Sequence, residues 1–187
     1  MDKKQQLLSV AHSVFLKKGF KNTNVSDITK KANMAVGTFY NFFDSKLAIF
    51  LQVYNDENER IKAVIINNLD IDGDPITVVQ TALNEIIEQS KNNKILQEWF
   101  TNEEIHQQIE KNSQNSIEDS IIYTTFIELI NRWQELGLLA TGMTESRIVS
   151  MFNAVIVVDI HQNEIETQNY FQLLNDLLTA ILKVILK

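Results

Sequence analysis

Residues 24–46 read NVSDITKKANMAVGTFYNFFDSK, and their spacing predicts two short helices joined by a tight turn. Asn24 is suited to cap the first helix, Val25–Ala32, and Asp27 follows three residues later, where a capping box places its carboxylate. Ile28 and Ala32 stand four residues apart and share one face. Asn33 and Met34 make the turn, because Asn tolerates a left-handed backbone better than most residues. The second helix is expected over Val36–Phe43. It opens on small side chains, Ala35, Val36, Gly37 and Thr38, and continues into Phe39, Tyr40, Phe42 and Phe43.

This distribution suits a helix that enters the major groove of DNA. Such a helix needs a slim, uncharged N-terminal end to approach base edges, with apolar anchors behind it. Base reading falls to Val36, Gly37, Thr38 and Asn41. Phosphate contact falls to Tyr40, Lys46, Ser26 and Thr23, with Lys3 and Lys4 as a mobile basic arm. The competing reading is a helical hairpin packed for stability alone. Helix-turn-helix spacing, basic surroundings and position near the N-terminus together favour the groove-reading role.

Gly19-Phe20, then Ile28 with Ala32, then Gly37-Thr38-Phe39-Tyr40, Phe43 and Lys46 resemble the DNA-binding core of the TetR family of transcriptional regulators. The likeness covers about the first fifty residues. Three positions depart from the family pattern: Thr29 replaces a small Ala, Asn33 stands at a usual Gly, and Ala35 replaces a capping Ser or Thr. The resemblance implies N-terminal DNA heads, and a C-terminal body that dimerises and binds an inducer.

Composition bounds the rest. A chain of 187 residues can bury a core of useful size, and 44% apolar residues argue against overall disorder. The absence of cysteine excludes disulfides and thiolate metal sites and fits a reducing, cytoplasmic compartment. The first residues, MDKKQQLLSVAHSVF, lack the long apolar core of a signal peptide. No apolar run reaches the ~20 residues that span a bilayer. The net charge of −7 argues against nucleic-acid binding until it is divided along the chain. Residues 1–48 carry +5 and residues 49–187 carry −12. A basic reader of phosphate joined to an acidic body matches that division.

The expected architecture is all-α, with a three-helix head over residues 1–47 and a helical effector-binding and dimerisation domain over 48–187. Leu7, Leu8, Ala11, Val14 and Phe15 give helix 4–18 its apolar face, and Gly19 ends it. His12 reads as a boundary residue. Asp44 or Ser45 can cap a long rod over 46–69. The turn LDIDGDP, 69–75, lacks the closing glutamate of a calcium loop and reads as a solvated connection. Pro75 opens helix 76–90, Asn92-Asn93 interrupt it, and a further apolar stretch covers 95–100. Helices follow at 103–111, 117–136, 145–162 and 167–186, with 112–116, NSQNS, as a loop.

The last two helices are apolar on more than one side. Phe171, Leu174, Leu178, Leu182 and Ile185 form one stripe of the final helix, and Tyr170, Leu173, Leu177, Ile181 and Val184 form another. One stripe can face its own domain. The other is expected to face a second copy, as a two-fold four-helix bundle. Trp99, Phe100, Tyr123, Phe126, Ile130, Trp133, Met151 and Phe152 are the candidate lining of an effector site, against the alternative that they are plain core. Polar groups near them include Asp159, for which a structural hydrogen bond, a partner across the dimer or a cationic ligand are the options.

The chain lacks catalytic signatures: three scattered histidines, no Gly-rich phosphate loop, no Gly-x-Ser-x-Gly and no His-Glu-x-x-His. No enzyme activity, catalytic residue, metal or cofactor is expected. The expected function is a repressor released from a palindromic double-stranded operator by a lipophilic or cationic small molecule. The alternative is a helical interaction or ligand-binding module without a DNA role.

Overall fold

The structure is a computed structural model that describes residues 2–113 and 121–187. Ten α-helices are seen among these residues: α1 (Lys3–Lys18), α2 (Val25–Lys31), α3 (Val36–Tyr40), α4 (Lys46–Asn67), α5 (Pro75–Asn92), α6 (Glu98–Thr101), α7 (Glu103–Ser113), α8 (Ile121–Glu135), α9 (Glu145–Ile160) and α10 (Tyr170–Ile185). A short 3-10 turn covers Gln162–Glu164. Among the described residues there is no β-strand, only an isolated bridge between Leu139 and Leu186.

The local signals that begin and end these helices act as their chemistry dictates. Asn24 Oδ1 accepts the Asp27 N–H at 2.8 Å, and Asp27 Oδ2 accepts the Asn24 N–H at 3.2 Å, which completes the capping box. Those contacts, led by the backbone bond to Asn24 and then by Lys18, hold the Asp27 carboxyl below its ordinary range. Asn33 takes the left-handed turn at φ +53°. Gly19, at φ +75°, closes α1 by donating its N–H to Phe15 O. Ser45 Oγ accepts from Ala48 N at the start of α4, so of the two candidate caps it is the serine that acts. Asp74 Oδ2 accepts from Thr77 N and Thr77 Oγ1, which leaves Pro75 as the first residue of α5. Thr144 caps α9.

Several boundaries differ from expectation. The second helix of the 24–46 stretch ends at Tyr40 rather than Phe43, where the ladder tightens to a three-residue bond from Phe42 N to Phe39 O. Residues 112 and 113 of the expected loop end α7, while 114–116 and the expected helix start at 117–120 lie outside the described residues.

The chain forms two compact units. One comprises residues 1–61 and 88–115, the other 62–87 and 116–187. The head expected at 1–47 thus lies inside a larger unit that also takes 48–61 and the 88–115 segment. Its core is built from Leu7, Ala11, Phe15, Ile28, Phe39 and Phe50, all buried. Phe15 and Phe50 meet edge-on at 5.0 Å between centroids, and Phe20 adds a second edge contact to Phe50 at 4.9 Å. Truncating such a ring to Ala costs about 3–5 kcal/mol.

The second unit packs α5, α8, α9 and α10 around Val78, Ile130, Trp133, Ile148, Leu182 and Ile185. Its end is tied by backbone bonds from Ala140 N to Ile185 O at 2.8 Å and from Lys187 N to Leu138 O at 3.0 Å. Asp159 Oδ1 accepts from Tyr170 Oη at 2.7 Å, the structural hydrogen bond among the options for that carboxylate. Burial first, and the Asp159 charge second, push the Tyr170 phenol well above its ordinary range. No helix among the described residues is long and apolar enough to cross a membrane.

Candidate nucleic-acid interface

Helix α3 presents its N-terminal end outward while its aromatic end is held in the core. Phe39 is fully buried, and Phe43 is 6% exposed. Val36 and Tyr40 are 45% and 55% exposed, Gly37 and Asn41 are exposed, and Thr38 is half-buried. The Phe39 ring meets Tyr40 edge-on at 5.3 Å, so the buried ring braces the exposed one. Of the side chains assigned to base reading, Val36, Gly37 and Thr38 lie at the accessible N-terminal end of α3, whereas Asn41 is exposed at the opposite end as its C-cap.

Gly37 is informative. A Cβ built there meets nothing within 4 Å, and no positive φ requires glycine at that position. Glycine within a helix costs about 0.5–1 kcal/mol relative to Ala. Nothing inside the unit needs that cost, whereas a surface approached closely by a duplex does.

The basic groups divide into those facing solvent and those used internally. Lys3, Lys21 and Lys30 are exposed. Lys4 Nζ lies 5.6 Å from the Phe43 ring centroid, which draws the start of α1 toward the segment just after α3. Lys31 Nζ donates to Ser13 Oγ at 2.7 Å, and Lys18 pairs with Asp27 at 3.2 Å. Ser26 is half-buried in the first turn of α2.

Two of the residues assigned to phosphate are committed elsewhere. Thr23 is 2% exposed and its hydroxyl donates to Gly19 O at 2.8 Å. Lys46 Nζ donates to Phe20 O at 2.9 Å and Thr23 O at 2.8 Å, and rests 4.0 Å from the Phe20 ring centroid. Burial lowers the Lys46 pKa, against the opposing charges of Glu98 and Glu104. In this arrangement both residues close the turn between α1 and α2, and neither presents a free group to a phosphate. The reason is hydrogen bonding: the α1–α2 turn has carbonyls outside any helical ladder, and a lysine just past α3 reaches them.

The residues assigned to an effector separate into two sets. Trp99 and Phe100 belong to the first unit, where Trp99 stacks on His106 at 3.9 Å. Tyr123, Phe126, Trp133, Met151 and Phe152 belong to the second. There Phe126 and Phe152 meet at 4.0 Å and, with Met151, pack against the cluster that holds Trp133. Trp133 is 1% exposed, and its indole Nε1 has no hydrogen-bond partner among the described residues.

Sequence reasoning missed Glu57, Asn93, Lys94 and Glu98. Glu57 is 1% exposed in α4. Its Oε2 accepts from His12 Nε2 at 2.9 Å and from Arg60 Nε at 2.7 Å; its Oε1 accepts from Arg60 Nη2 at 2.9 Å and from Asn93 Nδ2 at 2.6 Å. Burial pushes its carboxyl up, but the bonds from Arg60, His12 and Asn93 outweigh that and hold it at about 2. A signal was present: Glu57 occupies the apolar register of Tyr54, Ile61 and Ile65. No group of three or more metal-ligating side chains occurs among the described residues.

Residues 7–53 match the family described as bacterial regulatory proteins, tetR family. Over 62 residues, 33% of this chain, the sequence is 36% identical to an uncharacterised HTH-type transcriptional regulator, YdgC, of Bacillus subtilis (strain 168), of which 32% is covered. Over 86 residues, 46% of this chain, it is 34% identical to the HTH-type transcriptional repressor DhaR of Mycobacterium sp. (strain GP1), of which 43% is covered. The chain thus spans less than half the length of these curated relatives. Among solved structures, RolR in complex with resorcinol superposes with a TM-score of 0.67 at 18% identity, covering 98% of this chain and 87% of that one. That likeness shows a shared fold.

Proposed function

The N-terminal domain of this chain belongs to the tetR family of bacterial regulatory proteins, and from that premise we propose that the protein is a dimeric, ligand-responsive repressor of transcription. The observation that carries the proposal is the outward N-terminal end of α3: Val36, Gly37 and Thr38 at the tip, Tyr40 and the C-capping Asn41 exposed further along, and buried Phe39 behind. The tip reads base edges in the major groove. Tyr40, Ser26 and the exposed lysines supply the phosphate contacts that set its register. Lys46 and Thr23 support the turn behind it.

Dimerisation falls to α9 and α10. In α9 only Ile148 is buried, while Val157 is 55% exposed; in α10, Val184 is 49% exposed. A second copy covering these faces would pair two heads across a two-fold axis, and a palindromic operator would match that symmetry. The effector site falls to the second unit, around Phe126, Trp133, Met151 and Phe152. An apolar molecule with one hydrogen-bond acceptor suits the unpartnered Trp133 N–H in that cluster. The name of DhaR as a repressor supports the sign of regulation. The chain acts in the cytoplasm, where its DNA is.

The test is binding of the purified protein to a duplex taken from immediately upstream of its own gene, across a salt series. Specific, salt-dependent binding is expected. Tyr40→Phe weakens binding to all duplexes alike, while substitution of Thr38 changes the ratio between specific and non-specific duplexes. If neither change alters binding, α3 is not the reading helix and the alternative of an interaction module without a DNA role takes its place.

A further inference from the structure

Reading DNA with the tip of α3 leaves a buried carboxylate in α4 unused. Glu57 joins three separate pieces of the first unit: His12 of α1, Arg60 of α4, and Asn93 just beyond α5. A carboxylate only accepts, so His12 must present its Nε2–H to Glu57.

Asn93 is itself fixed on its far side. Its Oδ1 accepts from Ile95 N at 2.9 Å and Leu96 N at 3.4 Å, so its amide can point only at Glu57. Two further bonds follow in the same segment. Lys94 Nζ donates to Lys17 O at 2.8 Å, which brings a cation to the C-terminal end of α1. Glu98 Oε1 accepts from Phe20 N at 3.0 Å, immediately after Gly19 has closed the helix. Residues 93–98 therefore hold α1 and the turn after it through three side chains: Asn93 by way of Glu57, Lys94 at the end of α1, and Glu98 at Phe20 in the turn.

We propose that Glu57 is a positioning residue for DNA binding: with Asn93 it seats α1 against α4, and the 93–98 segment, by holding or releasing that seat, sets the bearing of α2 and α3. The proposal rests on the DNA-reading role of α3 given above. A buried ion pair contributes little net stability over apolar side chains of the same volume, but its directional bonds specify one arrangement among several. Release of the segment is also feasible without stranding a charge. If Asn93 withdraws, Glu57 keeps Arg60 and His12, whose side chains are 55% and 36% exposed and can recruit water.

Three variants test this: Asn93→Asp, Glu57→Gln, and the pair combined. Asn93→Asp sets two carboxylates against each other. In the combined variant the amide introduced at position 57 donates to the carboxylate introduced at position 93, restoring the bond with its direction reversed. Affinity for the upstream duplex is measured well below the melting temperature of each variant, and amide hydrogen exchange is followed in α1. Asn93→Asp is expected to lose about tenfold in affinity and to speed exchange over residues 12–18, and the combined variant to recover part of both, since the amide nitrogen at position 57 leaves Arg60 Nη2 without its acceptor there. A combined variant no better than the two single losses together, or Asn93→Asp with wild-type affinity, would overturn the positioning role. Unchanged exchange in α1 of Asn93→Asp would overturn the seating itself. Wild-type protein that binds no duplex would instead remove the DNA-reading premise, while the exchange comparison would still decide the seating.

Discussion

Lys46 Nζ donates to the Phe20 carbonyl at 2.9 Å while lying 4.0 Å from the centroid of the Phe20 ring, so one lysine holds both the backbone and the side chain of one phenylalanine. A second bond to Thr23 O makes it an internal clamp of the α1–α2 turn. Lys46→Met is therefore expected to lower stability by about 1–3 kcal/mol, by removing the donor to two carbonyls. Chemical denaturation measures this. The salt dependence of duplex binding should keep its slope. A slope smaller by about 0.9 would mean that Lys46 neutralises a phosphate after all.

Gly37→Ala should fold as well as wild type, because the added methyl meets nothing within 4 Å. Helix propensity adds up to about 0.5–1 kcal/mol of stability. Duplex affinity should nevertheless fall, since the methyl occupies the space into which a base edge would come. Paired melting and binding measurements check this; a more stable protein with undiminished binding would show that the α3 tip does not approach the groove closely.

Stability should carry an acid limb that belongs to Glu57. Its carboxyl is held at about 2 in the folded protein against an ordinary 4.5, so the folded state binds fewer protons between those values. The stabilisation is complete above pH 4.5 and is lost as pH falls toward 2. The size of the shift corresponds to at most about 3 kcal/mol. Other carboxylates titrate in the same window, so the measurement is the difference between wild type and Glu57→Gln. That difference should shrink on acidification; a constant gap would mean that the charge on Glu57 is not what its partners stabilise.

Val157→Lys places a charge on the exposed apolar side of α9. If α9 and α10 pair with a second copy, sedimentation should show a shift from dimer to monomer, and affinity for a two-site operator should fall far more than affinity for a half-site. Wild-type protein that already sediments as a monomer would dismiss the paired-head arrangement.

Much of the fold was readable residue by residue. Asn24 with Asp27, Asn33, Gly19, Pro75 and Thr144 act locally, through bonds to backbone a few positions away, and each does in the structure what its type predicts. The accessible end of α3 was readable for the same reason: small residues followed by aromatics at helical spacing leave one end slim and bury the other. The two phosphate assignments that the geometry commits elsewhere concern polar side chains bonded inside the unit, one to a distant carbonyl and one to a near one. Lys46 and Thr23 have the composition of phosphate ligands, but their partners are carbonyls 23 and 4 positions away in sequence.

By itself the chain determined an all-helical protein, the positions of its caps and turns, and a basic head whose third helix carries a bare tip, because all of these follow from neighbours within a turn or two and from charge counted along the sequence. The apolar register of α4 hinted that Glu57 is buried, but only tertiary structure decided that it stays ionised there, that residues 93–98 grip the end of α1, and that Trp99 and Trp133 belong to different units. The physical reason is that a buried charge is tolerated only where donors from distant parts of the chain converge on it. Such convergence is a property of packing, and no local pattern of residues encodes it.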